Sequence, residues 1–373
     1  MSPDPTPIDG STENWLEDLR TVERLLRESD SFCWVGPQGY DAYSIEHAIT
    51  LSTQLKVEFS LILDRNVLSR VLELPTTTRK ATTDLHRLGA SVMTLALLSD
   101  MHFDATTAVG ETVLVNQTGQ GQNDAAKLAA MQNLDAESYL DIVMNRATHI
   151  DPKSIDAEMT PAMIDGAAKL QVDLWKWVRP HYGAALKLAT LLYSCTTVEE
   201  RFKAFKEYLR WSYDDYMFIP GALIYGSLAM SPNHPGGMFK WLNSPMLDRP
   251  LEGVWNVAWD TFLLDYWAKE AQRAAIKNMV VILCTFDRPL RTCARDFVVP
   301  HLDAAQRLEK LEKRFTLEWP SEMGKALHSQ YVRYALGATT DHTRAAHRHR
   351  NQQAYWSAMV DCLESDFHQI IGK

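Results

Sequence analysis

FSLILDRNVLSRV, residues 59–71, is the stretch on which the fold turns. Phe59, Ser60, Leu61, Ile62 and Leu63 are mostly apolar and run straight into a carboxylate, Asp64. Asn66 follows, and apolar residues then return at helical spacing until Pro75. A run this short is read as a buried strand, and the periodic segment after it as a short helix. MVVILCTFD, residues 279–287, repeats the pattern: a second apolar run that ends on an acid, Asp287. The helical segment VWNVAWDTFLLDYWAKEAQRAAI precedes it. Most other periodic segments are helical, so the expected fold class is α/β, mostly helical around a small parallel sheet.

Elsewhere, WLEDLRTVERLLRES, residues 15–29, and SIEHAITLSTQLK read as helices, as does 80–98. HFDATTAVGETVLV admits a helix from Thr106 onward or a short strand at its end. NQTGQGQND, residues 116–124, is polar and Gly-rich and reads as a loop. Short helices are expected near 124–132 and 136–146. The segment LQVDLWKWVRPHYGAALKLATLLY should break or kink at Pro180. Its aromatics and those of the next helix, Trp175 to Tyr216, fit a core better than a base-stacking stripe.

The chain has 373 residues, 46% of them hydrophobic and 23% charged, enough for a sizeable core. Its net charge of -9 excludes a generally basic surface, so any nucleic-acid contact must come from a local patch. Five scattered cysteines without a CxxC pair indicate neither a zinc ribbon nor a disulfide framework. A reducing cytoplasm is the expected compartment. No apolar run reaches the length of a membrane span, and no Walker or GxGxxG loop occurs.

The chemistry lies in the carboxylates. Ligands of parallel α/β sheets bind at the carboxyl ends of strands. Asp64 and Asp287 would face one mouth if their strands are close, although either acid could instead cap the helix that follows it. On the helix 256–275, Asp260 falls in line with Leu264, Trp267 and Ala271, an apolar stripe. A carboxylate in that position needs a cation, a metal or a hydrogen-bond partner. Asp265 lies well round the helix and is expected to be solvated. Glu111 has Ala108, Leu114 and Val115 at helical spacing, with Asp100 and Asp104 as nearby competitors. Three or four such acids would make an oxygen-only site suited to Mg²⁺ or Mn²⁺, and the matching chemistry is metal-assisted hydrolysis of a phosphodiester.

LILDRNVL resembles the opening strand of the PIN-domain nuclease superfamily, in which Asp is followed by a small hydroxyl residue, Asn or Ser, and an apolar residue. WDTFLLDYWAKEA and VILCTFD resemble its closing half, where a strand ends in Thr or Ser, any residue, then Asp. The resemblance covers about residues 59–115 and 250–300. It implies that Asp64, Asp260 and Asp287 bind metal, that Glu111 is the acid of the middle helix, and that Asn66 and Thr285 support the carboxylates. It further implies a nuclease acting on RNA before DNA, in toxin-like or processing roles. Arg65 stands where the family has a small hydroxyl residue. The implied layout is a disordered tail over 1–12 and a PIN-like core over 13–115 and 246–300. A helical insertion spans 116–245, and a helical extension over 301–373 shapes access or mediates self-association.

HTRAAHRHR, residues 342–350, is the local basic patch, and Arg65, Arg344, Arg348 and Arg350 are the candidate nucleic-acid contacts. On a helix His342, Ala346, His349 and Arg350 would share a side. Arg344 and His349 also have the spacing seen in the HEPN class of metal-free ribonucleases. Two alternatives therefore stand beside the metal nuclease: cleavage at Arg344 and His349, and a non-catalytic helical interaction protein whose acids only cap helices and form ion pairs.

Overall fold

The computed structural model describes residues 10–76, 82–116, 118–155, 161–234, 236–244, 246, 248–297, 303–338, 340–349 and 352–372. The chain divides into two compact units, Met1–Lys169 with Arg273–Asp287, and Leu170–Gln272 with Arg288–Lys373. Helices dominate both, and the first carries one four-stranded sheet.

The first unit runs α1 (Gly10–Ser29), β1 (Phe32–Val35), α2 (Ile45–Gln54), β2 (Glu58–Leu63), α3 (Arg65–Leu72), α4 (Asp84–Leu98), β3 (His102–Asp104), α5 (Thr106–Asn116), α6 (Thr118–Met131) and α7 (Ala136–Val143). It is completed by β4 (Met279–Cys284). Strand order is β1-β4-β2-β3, with β2 parallel to β3 and β4. The sheet is mixed rather than wholly parallel, because β1 pairs antiparallel with β4. Both interior strands are apolar without alternation because both of their faces are covered. Phe59, Leu61 and Leu63 join Val280, Ile282 and Cys284 in one core, while Ile62, Val281 and Leu283 are buried as well. The same core takes in Leu26 of α1, Val67 and Val71 of α3, Met93 of α4, Val113 of α5, Met131 of α6 and Tyr139 of α7.

Three expectations are corrected here. The Gly-rich stretch 116–124 is not a loop: all its described residues lie in α5 or α6. Gly121 shows why, since a Cβ there would stand 2.3 Å from Val113 Cγ2 and 3.2 Å from the Val109 carbonyl oxygen. The glycine permits two helices to cross closely. Helix α1 also begins at Gly10, inside the stretch expected as a tail, and residues 1–9 lie outside the described residues. α6 and α7 share the sheet's core, so the first unit reaches past residue 116 instead of closing there.

The second unit contains most of α8 (Pro161–Tyr193), then α9 (Val198–Asp214), α10 (Pro220–Met230), α11 (Asp248–Ile276), α12 (Arg288–Phe297), α13 (Ala304–Glu318), α14 (Ser321–Gly337), α15 (Ala345–Arg348) and α16 (Gln353–Ile371). α8 continues through Pro180 without a break. Tyr182, Phe205, Tyr208 and Tyr216 are buried, as the core reading of the aromatics requires, whereas Trp175 and Trp177 are exposed. Arg314 is buried with its own counter-charge: Nε donates to Glu318 Oε1 at 2.7 Å, and Ser227 Oγ donates to Glu318 Oε2 at 2.7 Å. Among the described residues no helix is long and apolar enough to cross a membrane.

Candidate active site at the strand ends

The parallel register of β2 and β4 puts two acids at one end of the sheet. Leu63 is level with Cys284, and the Asp64 amide donates to the Cys284 carbonyl at 3.0 Å. Asp64 and the segment Thr285–Asp287 therefore leave neighbouring strands side by side. The Asp64 carboxylate is buried, only 5% of the residue being exposed, and it does not cap α3 with its side chain. Instead Thr285 Oγ1 donates to Asp64 Oδ2 at 2.5 Å. The same hydroxyl accepts from the Asp287 amide at 3.0 Å. Asn66 Oδ1 accepts from the Phe286 amide at 3.1 Å. The first and third of these bonds tie the start of α3 to the turn after β4, and the second braces that turn internally.

Electrostatics single out Asp64. Burial pushes its carboxyl up to about 6, against the pull of the Thr285 hydroxyl; the charge of Asp287 pushes it further up. The Arg65 amide and the Asn66 side chain act in the opposite direction. Two carboxylates that repel through a low-dielectric wall are a common way of building a site for a cation or a shared proton.

The remaining acids are placed differently. Glu111 lies half-buried on α5. It stands one helical turn beyond Thr107, whose hydroxyl donates to the Leu63 carbonyl at 3.4 Å, so it is on the face of α5 that meets the end of β2. Asp104 ends β3 and accepts from the Thr106 amide at 3.1 Å. Asp124 on α6 escaped the sequence reading because its surroundings looked like a loop. It accepts from Thr112 Oγ1 at 3.4 Å, and burial raises its pKa against the opposing charges of Arg65 and Lys127. The signal that could have found it is its place three residues past Gly121 on a helix-forming segment, NDAAKLAAM.

Asp260 belongs to the second unit. Leu264, Trp267 and Ala271 of its stripe are buried, and Asp260 has a hydrogen-bond partner, the Tyr225 hydroxyl, which donates at 3.2 Å. Asp265 is half-buried rather than freely solvated, contrary to expectation. The Gly221 amide of α10 donates to it at 2.9 Å, and burial pushes its carboxyl up to about 7. α10 covers that side of α11, which a single apolar stripe did not reveal. His181 Nε2 lies 3.8 Å from Asp265 Oδ2, and burial pushes this imidazole down to about 3. Both members of the pair are held toward their neutral forms.

Among the described residues no group of three or more His, Cys, Asp or Glu side chains stands ready to hold a metal. The pair Asp64 and Asp287 is instead a two-carboxylate, oxygen-only donor set. Such a set fits Mg²⁺, which keeps several waters and is often held by one or two carboxylates together with a substrate phosphate.

The basic cluster is assembled as structure more than as surface. Arg344 is buried; Nε donates to the Asp341 carbonyl and Nη1 to the Tyr213 carbonyl, both at 3.1 Å, while Nη2 donates to the Ala338 carbonyl. Its guanidinium also lies 4.7 Å above the Tyr213 ring. His349 stacks on Tyr355 at 4.1 Å and its Nδ1 is 2.8 Å from Gln352 Oε1. α15 is a single turn, Ala345–Arg348, so His342 precedes the helix and the expected shared face does not form. Arg348 is exposed, and Arg350 lies outside the described residues.

No family model matches this chain, and neither a curated protein nor a solved structure matches it.

Proposed function

We propose that the chain is a PIN-like nuclease that hydrolyses phosphodiester bonds, RNA before DNA, with Mg²⁺ or Mn²⁺ at Asp64 and Asp287. The observation that supports this reading is the parallel pairing of β2 and β4, which brings Asp64, directly after β2, and Asp287, three residues past β4, to one end of the sheet. Asp64 and Asp287 would hold the cation and, through it, the substrate. Thr285 and Asn66 hold the two strand ends in register through bonds to Asp64 and to the Phe286 and Asp287 amides. A cation bound there supplies an activated water and offsets charge on the phosphate. Glu111 and Asp260 are the other acids that the family resemblance implies.

Cleavage of labelled RNA and DNA with Mg²⁺ or Mn²⁺ tests this, comparing the wild type with Asp64→Asn and Asp287→Asn. Loss of about a hundredfold or more in rate is expected for each variant, the scale of a lost charge-stabilising group. Equal activity in all three proteins overturns the proposal. The Thr285–Asp64 hydrogen bond also supports a second, non-catalytic role in which Asp64 only bolts α3 to β4. In that case both variants change stability while no metal-dependent cleavage exists to be lost.

A further inference from the structure

Thr83, His86 and Glu73 of the first unit form a chain of short hydrogen bonds apart from the strand-end acids. Thr83 is the N-cap of α4 and is exposed. Its Oγ1 stands 2.6 Å from Nδ1 of His86, in the first turn of that helix. His86 Nε2 stands 2.9 Å from Oε2 of Glu73, the residue that closes α3. Arg70 Nη1 lies 2.8 Å from the same carboxylate oxygen. Burial raises the Glu73 carboxyl, but the hydrogen bonds from His86 and Arg70 outweigh it and hold the group below its usual range. An ionised carboxylate only accepts, so Nε2 carries the imidazole proton and Nδ1 keeps its lone pair. The Thr83 hydroxyl therefore donates to Nδ1.

Capping alone does not require this. As an N-cap, Thr83 has only to accept from the His86 amide, and that bond is long at 3.4 Å. A hydroxyl, an imidazole within hydrogen-bond reach and a carboxylate that orients the imidazole are the parts of an activated nucleophile. Burial grades the three in the matching order: the hydroxyl residue is open to solvent, and the imidazole is 9% exposed. The Asp84 amide follows Thr83 directly and, at the start of α4, has no partner within the helix. The amide after a hydroxyl nucleophile is a familiar oxyanion donor. Leu85, the next residue, presents an exposed apolar side chain. The exposed Asp84 carboxylate disfavours an anionic substrate.

We propose that Thr83 is the nucleophile and His86 the general base of a second site, which transfers acyl groups from small uncharged esters, with Glu73 as a positioning residue. Thr83 Oγ1 bonds to the acyl carbon while its proton passes to His86 Nδ1. The carbonyl oxygen takes up the electron pair of its π bond. When that pair returns, the ester C–O bond breaks, and His86 gives the proton to the leaving oxygen. Water then attacks acyl-Thr83 with His86 again as base. The acid is released and the threonine hydroxyl restored, so ester and water become acid and alcohol.

Full-length protein is mixed with p-nitrophenyl acetate in EDTA, and p-nitrophenolate release is followed by stopped flow. Protein quenched at the end of the burst is digested and mapped by mass spectrometry. The wild type should show a burst and one acetyl group on Thr83. Thr83→Asn keeps a good cap but has no nucleophile, so burst and acetyl group should vanish while the thermal unfolding midpoint holds. Thr83→Ser should keep both. His86→Gln should slow acylation about a hundredfold or more. Glu73→Gln should slow it about tenfold or more and move the acid limb of the pH–rate profile to lower pH, because the imidazolium loses its counter-charge. A purely structural role of Glu73 would leave that limb in place. A wild type without acetyl on Thr83, or a Thr83→Asn protein as active as the wild type, overturns the proposal.

Discussion

At Asp64 burial and chemistry pull in opposite directions. A carboxylate buried this deeply is more comfortable protonated, and the charge of Asp287 adds to the discomfort. Its pKa rises from 3.8 to about 6 on folding. The folded state therefore binds the proton more tightly than the unfolded state. The stability contribution is fully present below pH 4 and is lost as pH rises through about 6. At 1.36 kcal/mol per pH unit the loss is at most about 3 kcal/mol. Asp64→Asn cannot titrate, so its stability relative to the wild type should improve by up to that amount between pH 4 and pH 8. Urea unfolding at both pH values checks this, and a constant difference between the two proteins would count against it.

At the level of elements, strong patterns made strands and helices readable from sequence and weak ones hid them. β2 and β4 were legible because an apolar run of this kind is too short for a helix and too apolar for a loop, and the acid marks where it stops. β1, FCWV, was not, because four residues with an exposed Trp34 show neither a long run nor a clean alternation. α6 was misread because Gly119 and Gly121 look like loop punctuation, whereas the partner helix decides their role. The same error concealed Asp124. At the site, Asp64, Asp287, Asn66 and Thr285 were all named from short local patterns, and these four are the residues that hydrogen bonds and charge draw together. Asp265 was missed because its burial depends on α10, far away in sequence. The crossing of α5 and α6 can be tested directly. Gly121→Ala places a methyl group against Val113 and the α5 backbone, and should cost about 1–3 kcal/mol despite the better helix propensity of alanine. Equal or higher stability in thermal unfolding would show that the helices can move apart freely.

On the scale of the whole molecule, the chain passes from the first unit to the second and back again. It leaves after Lys169, returns at Arg273, and leaves once more after Asp287. The returning piece carries β4, an interior strand paired on both sides. Residues 10–169 expressed alone lack that strand, so β1 has no partner and β2 keeps only β3. This fragment should show helical circular dichroism without a cooperative thermal transition. A peptide spanning residues 273–287 should restore the transition; a sharp transition without the peptide would show that β4 is dispensable. The same arrangement has a consequence during synthesis. About 200 residues separate the end of β2 from the start of β4, and at roughly 5–20 residues per second a ribosome needs on the order of 10–40 s to bridge them. Throughout that interval the nascent chain carries an open, apolar strand edge of the kind that invites pairing with another molecule. Helices α8 to α10 and most of α11 emerge before β4 and can fold locally while β2 waits. Slow translation and chaperone occupancy of that edge should therefore govern the yield of soluble protein more strongly than final stability does.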